Sequence, residues 1–117
     1  MGQLKTARIR ELNDAYRKHP WKWNDARGLG RTVVTAGVSA GTLKFLRKVL
    51  LAVAKFDKFT DDYDPHGEHD FGDLEIEGQK IYFKFDCYDR DCVYGSEDPS
   101  DPAKTTRVLT VMLASEY

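Results

Sequence analysis

The sequence predicts an α+β domain, a small antiparallel or mixed sheet around a central hairpin with about three helices, in the order α-β-α-β-β-α. Apolar residues recur with the helical period over residues 4–18 and again over residues 42–56. Between them and the C-terminus, apolar and polar residues alternate one by one on both sides of Gly78, which is the pattern of a half-buried hairpin. The 117 residues fit one domain, 1–117, with enough chain to bury a single core without a disulfide or structural metal.

In the first helical stretch Ile9, Leu12, Ala15 and Tyr16 fall on one face. His19-Pro20 ends it, because the residue before a proline is driven out of the helical region, and His19 reads as a last-turn cation favoured by the helix dipole. Trp21 and Trp23 lie in a loop near Arg27 and Arg31. They suit stacking on bases or clamping a partner, or equally lidding the core beside the first helix. Thr32-Val33-Val34-Thr35 is β-branched and predicts a strand. The glycines at 37 and 41 follow it into a helix, but the Gly-Lys-Ser/Thr ending of a phosphate loop is missing, so the stretch reads as a turn.

Over residues 42–56 Leu43, Leu46, Leu50 and Val53 make one stripe, widened by Phe45, Val49, Ala52 and Phe56. A helix apolar over most of its circumference belongs in the core. Lys44, Lys48 and Lys55 share its polar strip, solvated or facing an anion. In the hairpin, with its turn at Gly78-Gln79, Ile81, Phe83, Phe85 and Cys87 face inward and Lys80, Tyr82, Lys84 and Asp86 outward. Asp89-Arg90-Asp91 then turns the chain into a short Val93-Tyr94 segment. Asp101-Pro102 supplies a capping carboxylate and a first-turn proline. Val108, Leu109, Met112 and Leu113 extend a helix over residues 102–115, with a strand over 108–113 left open by the Val and Thr content. Cys87 and Cys92, with no second pair, do not make a zinc knuckle and read as free thiols.

A formal net charge of −1 conceals a division. Residues 1–58 hold 13 Lys or Arg against 4 Asp or Glu, and residues 59–117 hold 5 against 15. Either the halves neutralise each other across one fold, or the surface is dipolar, with one face suited to nucleic acid and the other mimicking it. No run reaches the roughly 18 apolar residues of a membrane span, and no leader pattern is present, so the cytoplasm is the expected location.

The densest chemistry lies in residues 61–71, with five acids and two of the three histidines in eleven residues. Asp64, His66, Glu68, His69 and Asp70 are candidate ligands for one divalent ion, zinc fitting best, although the spacing matches neither the helical His-Glu-x-x-His motif nor an EF-hand. The same residues fit a hydrogen-bonded turn in which Asp64 caps the backbone and a histidine pairs with a carboxylate. A His–Asp pair doing acid–base work is a third reading. Asp61, Asp62 and Asp73 form an acidic patch suited to a basic protein partner.

The run Phe59-Thr60-Asp61-Asp62-Tyr63-Asp64-Pro65-His66-Gly67-Glu68-His69-Asp70-Phe71-Gly72 resembles a bacterial family catalogued as a domain of unknown function and common in alphaproteobacterial genomes and plasmids. So do Tyr88-Asp89-Arg90-Asp91, Asp101-Pro102-Ala103, Thr106-Arg107-Val108-Leu109-Thr110 and Met112-Leu113-Ala114-Ser115-Glu116-Tyr117. Ala7-Arg8-Ile9-Arg10-Glu11-Leu12-Asn13-Asp14 and Thr35-Ala36-Gly37-Val38 are similar to its N-terminal half. Cys87 and Cys92 depart from its pattern. The resemblance implies an association with mobile elements and no reaction. The expected function is a small inhibitor or adaptor acting on nucleic-acid-handling machinery, of anti-CRISPR or anti-restriction type, through its acidic surface and with little direct nucleic-acid binding. The alternative is a metal-dependent enzyme, such as a phosphoester hydrolase, at the histidine loop.

Overall fold

The last long element of the chain organises the sheet. In the computed structural model, which describes residues 2–20 and 30–117, strand β4 (Thr106–Leu113) runs between β3 (Gln79–Tyr88), to which it is antiparallel, and β1 (Gly30–Val34), to which it is parallel. β2 (Phe71–Ile76) closes the other edge, giving a mixed four-stranded sheet in the order β1-β4-β3-β2. Three helices complete the α+β fold: α1 (Gly2–Arg17), α2 (Ala36–Ser39) and α3 (Leu43–Lys55). The loop holding Trp21, Trp23 and Arg27 lies outside the described residues.

The helix expected over residues 102–115 is corrected to this strand. Its start signal operates, since Asp101 accepts a hydrogen bond from the Ala103 amide at 2.9 Å, but the helical stretch is a single 3-10 turn, Pro102–Lys104. Thr105, Thr106, Val108, Thr110 and Val111 are β-branched, and β4 is paired with β3 over its whole length and with β1 from Arg107 to Val111, as a central strand requires. The Gly37–Gly41 turn contains one helical turn, α2.

The hairpin forms as its alternation requires, with the connection one residue earlier than expected. Ile76 pairs with Gln79, leaving Glu77 and Gly78 as the loop, both at positive φ (54° and 80°). That is the backbone a two-residue turn needs to match strand twist. Ile81, Phe83 and Phe85 consequently face inward and are buried, while Tyr82, Lys84 and Asp86 face the other side. Val38 of α2, Phe45, Val49, Leu50 and Val53 of α3, and Tyr16 of α1 join them with Leu109 and Val111 in one cluster, so all three helices pack on the same face of the sheet. Thr42 caps α3 by accepting from the Phe45 amide at 3.0 Å.

Two apolar stripes differ from expectation. Leu43 is 85% exposed at the first turn of α3, beyond the reach of the sheet. On α1 the buried face is Ile9, Asn13, Tyr16 and Arg17, and Ala15 is exposed. The helix is rolled toward its polar residues because those residues have partners, described next. At Gly72 an added Cβ would collide with the Phe83 ring, so the β2 backbone passes directly over the core aromatic. Phe83→Ala should cost about 3–5 kcal/mol in a denaturant titration, whereas Tyr82→Ala on the opposite face should cost far less. An inverted order would mean that β3 presents its other face.

Candidate functional site

Residues 60–70 are held by helix α1. Arg10 donates to the Gly67 carbonyl at 2.9 Å and the Asn13 amide to the Glu68 carbonyl at 3.0 Å. The Asp14 carboxylate receives the His69 ring, whose Nδ1 lies 2.9 and 3.0 Å from its two oxygens. An ionised carboxylate only accepts, so Nδ1 carries the proton. Within the loop, buried Asp64 accepts from the His69 amide at 3.1 Å, and its own amide and that of Tyr63 bond to the Thr60 carbonyl. This shapes a turn with His69 at φ 54° and Gly67 at φ 69°. The His69 ring stacks on Phe59, centroids 3.8 Å apart and 4° from parallel.

Asp14 also binds Arg17 at 3.0 Å, and Arg17 is buried, at 3% exposure. Its guanidinium donates to the Val53 and Phe56 carbonyls at 2.7 and 2.8 Å at the end of α3, where the Val53 carbonyl also accepts from the Phe56 amide. It also lies 5.2 and 5.6 Å from the ring centres of Phe59 and Phe83. From the other side Asn13 accepts from Nε of Arg107 at 2.9 Å, and Arg107 also donates to the Pro99 carbonyl. Burial lowers the Arg107 pKa. Asp14 and Arg17 were not legible as site residues, since their partners are 36 to 55 positions away. Removing Arg17 takes a buried donor from the Val53 and Phe56 carbonyls and leaves Asp14 without this cation. Arg17→Met should therefore lower stability by about 3 kcal/mol, read from the denaturant midpoint.

Of the five candidate metal ligands, Asp64 and His69 meet, Nε2 to Oδ2 at 4.0 Å, but both are engaged in fixing the turn. Among the described residues no three His, Cys, Asp or Glu side chains are grouped to hold a metal ion. His66 and Asp70 instead line an open hollow of about 380 Å³ with Asp62, Tyr63, Phe71 and Tyr82. Asp61, Asp62 and Asp73 are exposed, and among the described residues no cation pairs with them. Arg10 and Arg17 of the basic half bond to backbone carbonyls and to Asp14. Lys48 on α3 pairs with Glu77 at 3.2 Å. Cys87 and Cys92 are free thiols, and burial raises the Cys87 pKa.

The uncompensated acids repel one another. Burial pushes the Asp70 carboxyl above its ordinary 3.8, with added repulsion from Asp64. Burial and then Asp70 do the same to Glu68, above 4.5. A carboxyl with a higher pKa folded than unfolded binds its proton more tightly in the native state. Its ionisation therefore costs stability as pH rises through the window that opens at those ordinary values. Asp70→Asn removes that cost. The variant should melt above the native chain at neutral pH, and the gap should close on acidification toward about pH 3, as thermal unfolding across the range would show.

No curated protein and no solved structure matches the chain. A family model described as "Protein of unknown function (DUF3768)" matches residues 34–116, which begins after α1 and takes in the whole acidic loop, the hairpin and β4. With well over half of its length matched, the chain belongs to that family.

Proposed function

We propose that the protein is a small binding protein whose acidic edge docks on a basic surface of a protein partner, of the kind that nucleic-acid-processing effectors use to hold DNA or RNA. One observation carries the reading: Asp61 and Asp62 on the loop that α1 locks in place, and Asp73 just beyond it on β2, stand exposed with no cation paired to them among the described residues. A fixed array of unanswered carboxylates repels phosphates and attracts a cationic groove. Occupying such a groove would inhibit the effector, which is the anti-CRISPR or anti-restriction mode, and it would place the protein in the cytoplasm. Metal-dependent phosphoester hydrolysis at the same loop finds less support, because two of the five donors it would use, Asp64 and His69, are engaged in holding the turn.

The test is inhibition of DNA binding by purified Cas9-type and restriction effectors, with the native chain and with a triple variant, Asp61→Lys, Asp62→Lys and Asp73→Lys. The native chain should compete with DNA, less well as salt rises. The triple variant should associate much more slowly while melting at nearly the native temperature. Tight DNA binding by the protein itself, lost on changing Lys44, Lys48 and Lys55 to Glu, would overturn the reading and make the basic helix the working surface.

A further inference from the structure

The face of the sheet opposite the helices carries a cluster of aromatic rings at its β2 edge. Phe71 and Tyr82 lie on that face in neighbouring strands, ring centres 5.1 Å apart. Tyr63 is stacked over Phe71 from the acidic loop at 5.6 Å and 13°. Tyr117 stands edge-on to Phe71 and Tyr82 at 5.6 and 5.8 Å, 86° and 87° from their planes. Tyr117 is positioned by its neighbour Glu116, whose carboxylate accepts from Thr35 Oγ1 and from the Leu113 and Gly37 amides at 2.6–2.9 Å. Tyr63 and Tyr117 are 43% and 74% exposed. These rings are the walls and floor of the hollow that Asp62 and Asp70 also line.

A group of exposed rings with a hollow between them marks a contact surface rather than a solvated one. Its chemistry is specific. Ring faces are electron-rich and attract a cation laid over them. Asp62 and Asp70 have no cation paired with them among the described residues, and Lys84, on the same face of β3, is held by Asp86 at 2.8 Å. A planar guanidinium satisfies both demands together, stacking on a ring while its N–H groups reach a carboxylate. Unpaired nucleic-acid bases also stack on such rings. Their phosphates would then run beside Asp61, Asp62 and Asp73, where the charge has the wrong sign.

We propose that this hollow is the binding site for an arginine side chain of the partner protein, the guanidinium lying against Phe71, Tyr82 and the two exposed tyrosines and bonding to Asp62 or Asp70. This rests on the reading of the acidic edge as a docking surface for a basic protein, and it names the contact that gives that surface its selectivity.

The experiment is an NMR titration of the full chain at low salt with a triarginine peptide, its citrulline counterpart and oligothymidine. Triarginine should shift the ring resonances of Tyr63, Phe71, Tyr82 and Tyr117, and the neutral citrulline peptide should not. Because Tyr63 and Tyr117 are exposed, the double variant Tyr63→Leu, Tyr117→Leu should keep its native melting temperature while binding triarginine about tenfold more weakly. If Asp61→Lys with Asp73→Lys abolishes binding and the tyrosine variant binds as the native chain does, the ring site is wrong and the acidic edge alone stands. Absence of any triarginine binding to the native chain overturns both. Larger ring shifts from oligothymidine than from triarginine would assign the rings to bases.

Discussion

One guanidinium ties the two long helices together. Arg17 closes the C-terminal end of α3 by donating to the Val53 and Phe56 carbonyls, and it does so from beneath Phe59 and Phe83 with Asp14 as its counter-charge. A cation this deep is tolerable only where its protons are used. Here four oxygen acceptors take them, the Ala54 carbonyl more distantly at 3.5 Å, and Nε is left as a buried donor without a partner among the described residues. The arrangement places α1 at a fixed height over the sheet. It also explains why that helix buries Asn13 and Arg17 in preference to Ala15.

The acidic loop inherits its shape from that placement. Asp14 is shared between Arg17 and His69, so the charge that completes the α3 cap also anchors the turn. Arg10 and Asn13 hold the next two carbonyls, and Asn13 passes the connection to Arg107 on the central strand. Five of the polar side chains in this network come from α1 or β4, and every one of them faces inward. Among the described residues the exposed Asp61 and Asp62 have no cation paired with them, while Arg10 and Arg17 are committed to the inner side of the loop. Asp64 and His69 build the turn, while Asp61 and Asp62 stand exposed on it, Asp70 lines the hollow and Asp73 follows on β2.

The sheet makes a similar division between its faces. Alternation sends Ile81, Phe83, Phe85, Leu109 and Val111 to the helices and Tyr82, Lys84 and Asp86 to the other side. The aromatic cluster exists because Phe71 and Tyr82 fall on the outer face in adjacent strands, where the loop brings Tyr63 and the end of the chain brings Tyr117. Two separate segments must be in place before the hollow forms. Both are anchored by charged side chains, Arg10 under the loop and Glu116 beside Tyr117, whose carboxyl pKa is lowered by the three donors it accepts from.

Local pattern alone determined the α+β class, the two long helices and which face of β3 is buried, because periods of 3.6 and 2 are written into consecutive residues and need no distant partner to be recognised. It also marked residues 61–71 as the chemically dense stretch, and the capped-turn reading of Asp64 and His69 matches their hydrogen bonds. Only the tertiary structure decided the fate of residues 106–113. A start signal at Asp101-Pro102 favours helix by a local hydrogen bond, and vacancies on β1 and β3 favour strand by many distant ones. Tertiary contacts alone likewise selected Asp14 as the partner of His69 and drew Tyr63, Phe71, Tyr82 and Tyr117 together. Side chains 8 to 55 residues apart carry no trace of one another in the sequence, and their meeting depends on how α1 and the loop are laid across the finished sheet.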